Sequence, residues 1–324
     1  MAWLLSSGDR RRRRDQSGNR RPWILRSRPL PQALRHRSGP LTRYSFRPFR
    51  LPRRFLSVAA LGCAATGLWI SGGAAQPDVV LAPHRASYAL KLAIARPSSG
   101  IIDVHGAMVL ETEESCDSYE IKQRIKLTFQ RSDGEEFETD SSFLSHESKD
   151  GLELRFSVRN LRNEEVEEEL RGMAELEGEG AKGRASFTLP EARTFDLPAG
   201  TVFPTRHLVL VIQAARAGEQ SVDYKVFDGA RLDGAFSVNA VIARPPRPLP
   251  GAAARGDLAL LRNQAGWGVR LAFFANDGQA AQPEYEVSLD LLANGVARSM
   301  LLDYGDFAVE ARLVQIQALP RPRC

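Results

Sequence analysis

Cys116 and Cys324 are the residues best able to bond with each other. In an oxidising compartment an even pair in an exported chain reads as a disulfide. It would span 208 residues, and chain-entropy arithmetic puts the gain near 5 kcal/mol. Two free thiols and a redox-active pair are the alternatives; the second lacks a C-x-x-C spacing or any sign of a low-pKa thiol. Four histidines lie beyond residue 75, at His84, His105, His146 and His207. None sits beside another at ligand spacing, so a zinc site would have to be assembled from distant strands. His207 reads as a packing or capping residue. Asp303 and Asp306 flank Tyr304 and Gly305 and could serve as paired carboxylates, but their place beside a hairpin end favours a turn or cap role. No G-x-S-x-G elbow, G-x-G-x-x-G turn, phosphate loop or H-E-x-x-H helix occurs. The residues therefore nominate no catalytic group, metal ligand or cofactor. A Ser–His–Asp site assembled in three dimensions stays open.

Charge is divided along the chain. The 324 residues carry a net +5, yet residues 1–54 hold 16 Arg, no Lys and two acidic groups. The rest carries a net −9. An acidic body repels phosphates, which excludes a general nucleic-acid binder. With Cys63 inside an apolar stretch, two cysteines remain, too few for a zinc cluster or a multi-bridge mini-protein.

Residues 55–70 (FLSVAALGCAATGLWI) are uncharged, follow Arg53 and Arg54, and lead to the small residues Gly73, Ala74 and Ala75. A basic region, an apolar core and a small-residue exit make a signal-peptide pattern with cleavage near Ala75. An uncleaved anchor is the rival, but the apolar part is short of the roughly 20 residues of a comfortable span. Residues 1–54 cannot form a core. They read either as a disordered polybasic arm or as translation of GC-rich DNA upstream of a start near Leu51.

Period-two alternation fills most of residues 80–324. Tyr88, Leu90, Leu92 and Ile94 mark one strand; Ile102, Val104, Met108 and Leu110 mark the next; Ile121, Ile125, Leu127 and Phe129 a third. Asp–Gly and Asn294–Gly295 turns favour antiparallel hairpins, because glycine tolerates positive φ. Residues 164–179, half of them Glu, read as a half-solvated strand with Val166, Leu170, Ala174 and Leu176 on one parity; a helix is the alternative. One helix is predicted over 204–217, opened by Pro204 and stopped by Gly218. The segment 244–250 (RPPRPLP) is a stiff connector. The expected fold is mainly β, with about 12–14 antiparallel strands and one packed helix.

The segments GTVFPTRHLVLVIQAARAGE (200–219), VFDG (226–229) and YEVSLDLLANGVARSMLLDYGDFAVEARLVQIQAL (285–319) carry a resemblance, together with APHRASYALKLA (82–93) and the terminal Cys324. Over residues 80–324 the chain resembles the EipB-like cell-envelope integrity proteins of Gram-negative bacteria. The resemblance implies a periplasmic protein of one β domain whose strands form a large overlapping spiral or barrel-like sheet, with Cys116 and Cys324 matching the family's disulfide and a role in resisting envelope stress. It also implies a likeness to periplasmic lipoprotein carriers. The main expectation is a non-enzymatic factor that holds a lipid, lipoprotein segment or periplasmic protein on a concave sheet face. Tyr88, Phe129, Phe156, Trp267 and Phe273 are candidate liners of that face. An envelope hydrolase and a purely structural scaffold are the alternatives.

Overall fold

The computed structural model describes residues 78–232, 234–245, 254–275 and 281–324. The leader, the apolar segment with its cleavage position and residues 246–250 of the proline-rich run lie outside the described residues.

Eight strands follow one another through antiparallel hairpins. They are β1 (His84–Ala95), β2 (Ile101–Glu114), β3 (Ser118–Arg131), β4 (Glu136–Ser148), β5 (Glu153–Arg162), β6 (Glu165–Leu176), β7 (Gly183–Leu189) and β8 (Arg193–Leu197). After β9 (Thr201–Val202) comes helix α1 (Pro204–Ala217). There follow β10 (Ser221–Val226), β11 (Phe236–Ala243), β12 (Arg255–Gly256), β13 (Gly266–Ala275), β14 (Tyr285–Leu292), β15 (Ala297–Asp303) and β16 (Phe307–Ala318). All belong to one sheet ordered β8-β7-β6-β5-β4-β3-β2-β1-β16-β15-β14-β13-β11-β10-β9, with β12 beside β16. The last long strand thus pairs with the first, and the two ends of the sheet, β8 and β9, are neighbours in sequence. This makes a nearly closed, barrel-like sheet. The count exceeds the expected one because β7 and β8 are short and β9 and β12 are two-residue pairings that alternation cannot reveal.

The Glu-rich segment is strand β6, as its parity predicts, but one of its four inward residues faces out. Val166 is exposed, and so are Ile94 and Ile102, which the alternation also places inside. All three sit at breaks in register. Leu92 and Ile94 pair with the consecutive residues Val309 and Ala308; Ile101 and Asp103 straddle an extra Ile102; and Val166 and Glu168 face the consecutive Leu161 and Asn160. One extra residue in a strand reverses the face of everything beyond it.

Two apolar clusters fill the interior. The larger joins β1–β3, β11, β13–β16 and α1; the smaller is aromatic and lies under β4–β8. In the smaller one the Phe156 ring meets Phe187 and Phe227 edge-on at 5.0 and 5.7 Å. Gly172 and Gly229 leave room for it: a Cβ at Gly229 would come within 2.3 Å of the ring, and Gly229 has φ +71°. Gly229→Ala is therefore expected to destabilise the fold by about 3 kcal/mol, combining left-handed strain with overpacking. Gly200→Ala serves as the control, since its φ is +80° but nothing lies within 4 Å. It should cost only about 1 kcal/mol in urea unfolding. Equal losses for the two would show that strain alone, not the Phe156 contact, fixes the glycine.

Helix α1 lies within the curve of the sheet. Every residue from Pro204 to Arg216 is buried or half-buried, which an amphipathic surface helix would not show. Fourteen residues are marginal for an isolated helix, so its ends must be held. At the C-terminus Gly218 takes φ +81° and the Glu219 N–H returns to the Ala214 carbonyl at 3.0 Å. At the N-terminus the capping position is Phe203, whose side chain has no acceptor. The cap comes from β4. The Glu147 carboxylate accepts the N–H groups of Thr205 and Arg206, both at 2.7 Å.

Candidate functional site

Between α1 and the concave face of the sheet lies a cavity of about 100 Å³. One wall is apolar, from Val269, Leu271 and Phe273 on β13 and Leu289 and Leu291 on β14. Leu208 and Val211 of the helix face the same space. The other wall is polar. Strand register sets His84, Thr112, Ile121 and Ser145 in a row across β1, β2, β3 and β4. Gln123 stands in the next inner row, opposite Leu110 and Phe143. His207 and Thr205 add polar groups from the helix, and Asp228 and Asn294 from loops.

Several of these groups lack partners. His84 Nε2, Ser145 Oγ and His207 Nε2 are buried with no hydrogen bond among the described residues, although buried polar atoms almost always find one. The other ring nitrogen of His84 is engaged: Nδ1 lies 2.7 Å from the Ala82 carbonyl. Burial lowers the pKa of His84, and lowers that of His207 to about 4. Asp228 is pushed up to about 6, again by burial, against the opposing Ala230 N–H it accepts. Glu147, two residues from Ser145 on the same face of β4, is pushed up to about 7 by burial, which outweighs its two backbone N–H partners.

No Ser–His pair is assembled here. His84 and Ser145 are three strands apart, about 14 Å along the sheet, and neither free atom has a partner. A nucleophile needs its base within hydrogen-bond reach. His105 and His146 stand on exposed positions, beside Asp103 at 3.0 Å and Glu120 at 4.0 Å. Among the described residues no three His, Cys, Asp or Glu side chains group around a metal position. Asp303 takes both Arg96 guanidinium nitrogens at 3.1 Å and the Gly305 N–H at 2.9 Å. Those bonds hold its carboxyl below the usual range. Asp306 accepts the Ser98 hydroxyl at 3.3 Å. Both tie the β15–β16 turn to the end of β1, which is structural work.

Of the five aromatic residues nominated from sequence, Phe273 lines the cavity. The other four lie elsewhere. Tyr88 is buried and donates its hydroxyl to the Ala297 carbonyl at 2.8 Å. Phe129 stacks on Phe137 at 4.8 Å and meets Phe307 edge-on. Phe156 fills the aromatic cluster against two glycines, and Trp267 packs half-buried on the larger cluster. Large aromatics are what a core needs to fill volume, so they mark packing before they mark a site. On β4, Thr139, Ser141, Ser145 and Glu147 share the buried parity with Phe137 and Phe143. A run of polar residues on an inward face is the less common observation and the more informative one.

Cys116, in the β2–β3 turn, is bonded to Cys324 with their Cα atoms 5.7 Å apart. The tail is held by other contacts too. The Leu319 N–H reaches the Pro83 carbonyl at 3.0 Å, and Arg321 pairs with Glu114 at 3.3 Å and donates to the Leu81 carbonyl at 3.0 Å. Among the described residues no helix is long and apolar enough to cross a membrane.

The chain is 31% identical over 269 residues to the cell envelope integrity protein EipB of Brucella abortus (strain 2308), a match covering 81% of this chain and 95% of that one. Its fold is similar to a crystal structure of a beta-barrel-like protein of a domain of unknown function from Brucella abortus. The TM-score is 0.68 and the identity 31%, covering 75% of this chain and all of the other. A model of the EipB-like family matches residues 75–320. With the match running through the cavity walls, the helix and the strands that close the sheet, this chain belongs to the EipB-like family.

Proposed function

We propose that residues 80–324 act as one β domain in the periplasm, after removal of a signal peptide near Ala75, as a factor for cell-envelope integrity under stress. The mode of action is binding, without chemistry: the domain holds an amphiphile, the head group or acyl segment of a lipid or lipoprotein, between α1 and the concave sheet. The cavity carries this reading. It joins an apolar wall to polar atoms that lack partners, the usual make-up of a small-molecule pocket. The name of the 31% identical relative and the signal-like segment support the location and the role. At about 100 Å³ the space takes a head group and a few carbons, since an engineered apolar cavity of about 150 Å³ admits benzene. A longer chain enters only as Leu208 and Val211 shift with the helix.

Native mass spectrometry of the protein taken from the periplasmic fraction tests this reading. The expected species begins near residue 76, carries one disulfide and retains a lipid-sized adduct that collisional activation removes. A species found in the cytosol with both thiols free overturns the location. A periplasmic species that never carries an adduct, even after incubation with envelope lipids, leaves a scaffold as the better account.

A further inference from the structure

The tautomer of His84 decides what head group the cavity can take. The Ala82 carbonyl, 2.7 Å from Nδ1, can only accept, so Nδ1 carries the proton and Nε2 presents a bare lone pair. A ligand atom opposite Nε2 must therefore donate. The Ser145 hydroxyl, three strands away, can give or receive a hydrogen bond and is also unpartnered. The two histidines stay neutral at pH 7, because burial disfavours the imidazolium. An anion entering here would meet a lone pair instead of a donor at His84, with the Asp228 carboxyl in the same cavity wall. An ammonium head would find acceptors at His84 and at the Asp228 carboxyl but lose most of its hydration.

We propose that the cavity selects an uncharged, hydroxyl-bearing head group on an alkyl chain, such as the vicinal diol of a glyceryl lipid, over a carboxylate or amine of the same chain length. One hydroxyl of the head donates to His84 Nε2, while Ser145 Oγ, three strands away and about 14 Å along the sheet, lies beyond the reach of the same diol. This names the ligand class for the binding site proposed above and rests on that reading. Ordered water is the competing occupant, since a polar cavity of this size holds a few molecules.

The test uses the full chain at pH 7 with three probes of matched length: 1,2-pentanediol, pentanoate and pentylamine. Affinities come from NMR titration, with the ring nitrogens of histidine labelled with ¹⁵N. The diol should bind at least about tenfold more tightly than either charged probe. It should also move the non-protonated ¹⁵N resonance of His84 towards the hydrogen-bonded position. His84→Phe should weaken the diol roughly fivefold, and Ser145→Ala, out of the diol's reach, should leave it unchanged. Equal or tighter binding of either charged probe overturns the head-group assignment and keeps the cavity as a binding site. Failure of all three to bind, with His84 unmoved, assigns the cavity to water and overturns both readings.

Discussion

Glu147→Ala is expected to remove about 3 kcal/mol of stability at pH 7, because two hydrogen bonds go and the buried Thr205 and half-buried Arg206 N–H groups are left without partners. No neighbouring side chain can replace the cap, since Phe203 has no acceptor and Pro204 no N–H. The loss should be local in its first stage. Amide exchange at Thr205, Arg206 and His207 should quicken before the strands open. The pH dependence follows from the raised pKa. In the unfolded chain the carboxyl titrates near 4.5; in the fold it titrates near 7. Between those values the folded state binds the proton and the unfolded state does not, so stability falls as pH rises through the window. The difference amounts to about 3 kcal/mol in all. The measurement is urea unfolding of the wild type and Glu147→Gln from pH 4 to 8. The wild type should lose ground to the variant as pH rises from 4.5 to 7.5, while a constant gap would show that Glu147 is not the titrating group. Asp228, also raised by burial, contributes the same sign to both proteins and cancels in the comparison.

Reduction of the Cys116–Cys324 bond should lower stability by about 4–5 kcal/mol while leaving the native fold in place. The bridge restricts mainly the unfolded chain, where it closes a loop of 208 residues. In the folded chain the tail keeps its contacts with Pro83, Leu81 and Glu114. Both cysteines are exposed, so a mild reductant reaches them without unfolding. Urea titrations with and without reductant should show the midpoint fall and the slope steepen, because the reduced unfolded chain exposes more surface. The Cys116→Ser, Cys324→Ser double variant should match the reduced protein. An unchanged midpoint in both would mean that the tail contacts already hold what the bridge holds. A loss of native spectra in both would mean that the bridge shapes the fold itself.

The alternation of Leu90, Ile125, Leu127 and Phe129, the glycine turns and the Pro204 start of the helix were all legible along the chain, because each depends on residues only a few positions apart. Strand identity, hairpin connection and helix limits followed from them. Three features did not. Ile94, Ile102 and Val166 face outward because a single extra residue reverses a strand, and a bulge is set by the partner strand. The helix cap comes from Glu147, 58 and 59 residues before the N–H groups it accepts. Its only trace in sequence is negative, a helix that begins at Phe203 and Pro204 without a Ser, Thr, Asp or Asn. The polar wall of the cavity exists because register aligns His84, Thr112 and Ser145 across four strands. Local residue types fix local conformation, since those preferences act over one turn or one hairpin. Which side chains meet in the interior was decided by how the sheet curls and where α1 seats, energies that belong to residues far apart in the chain.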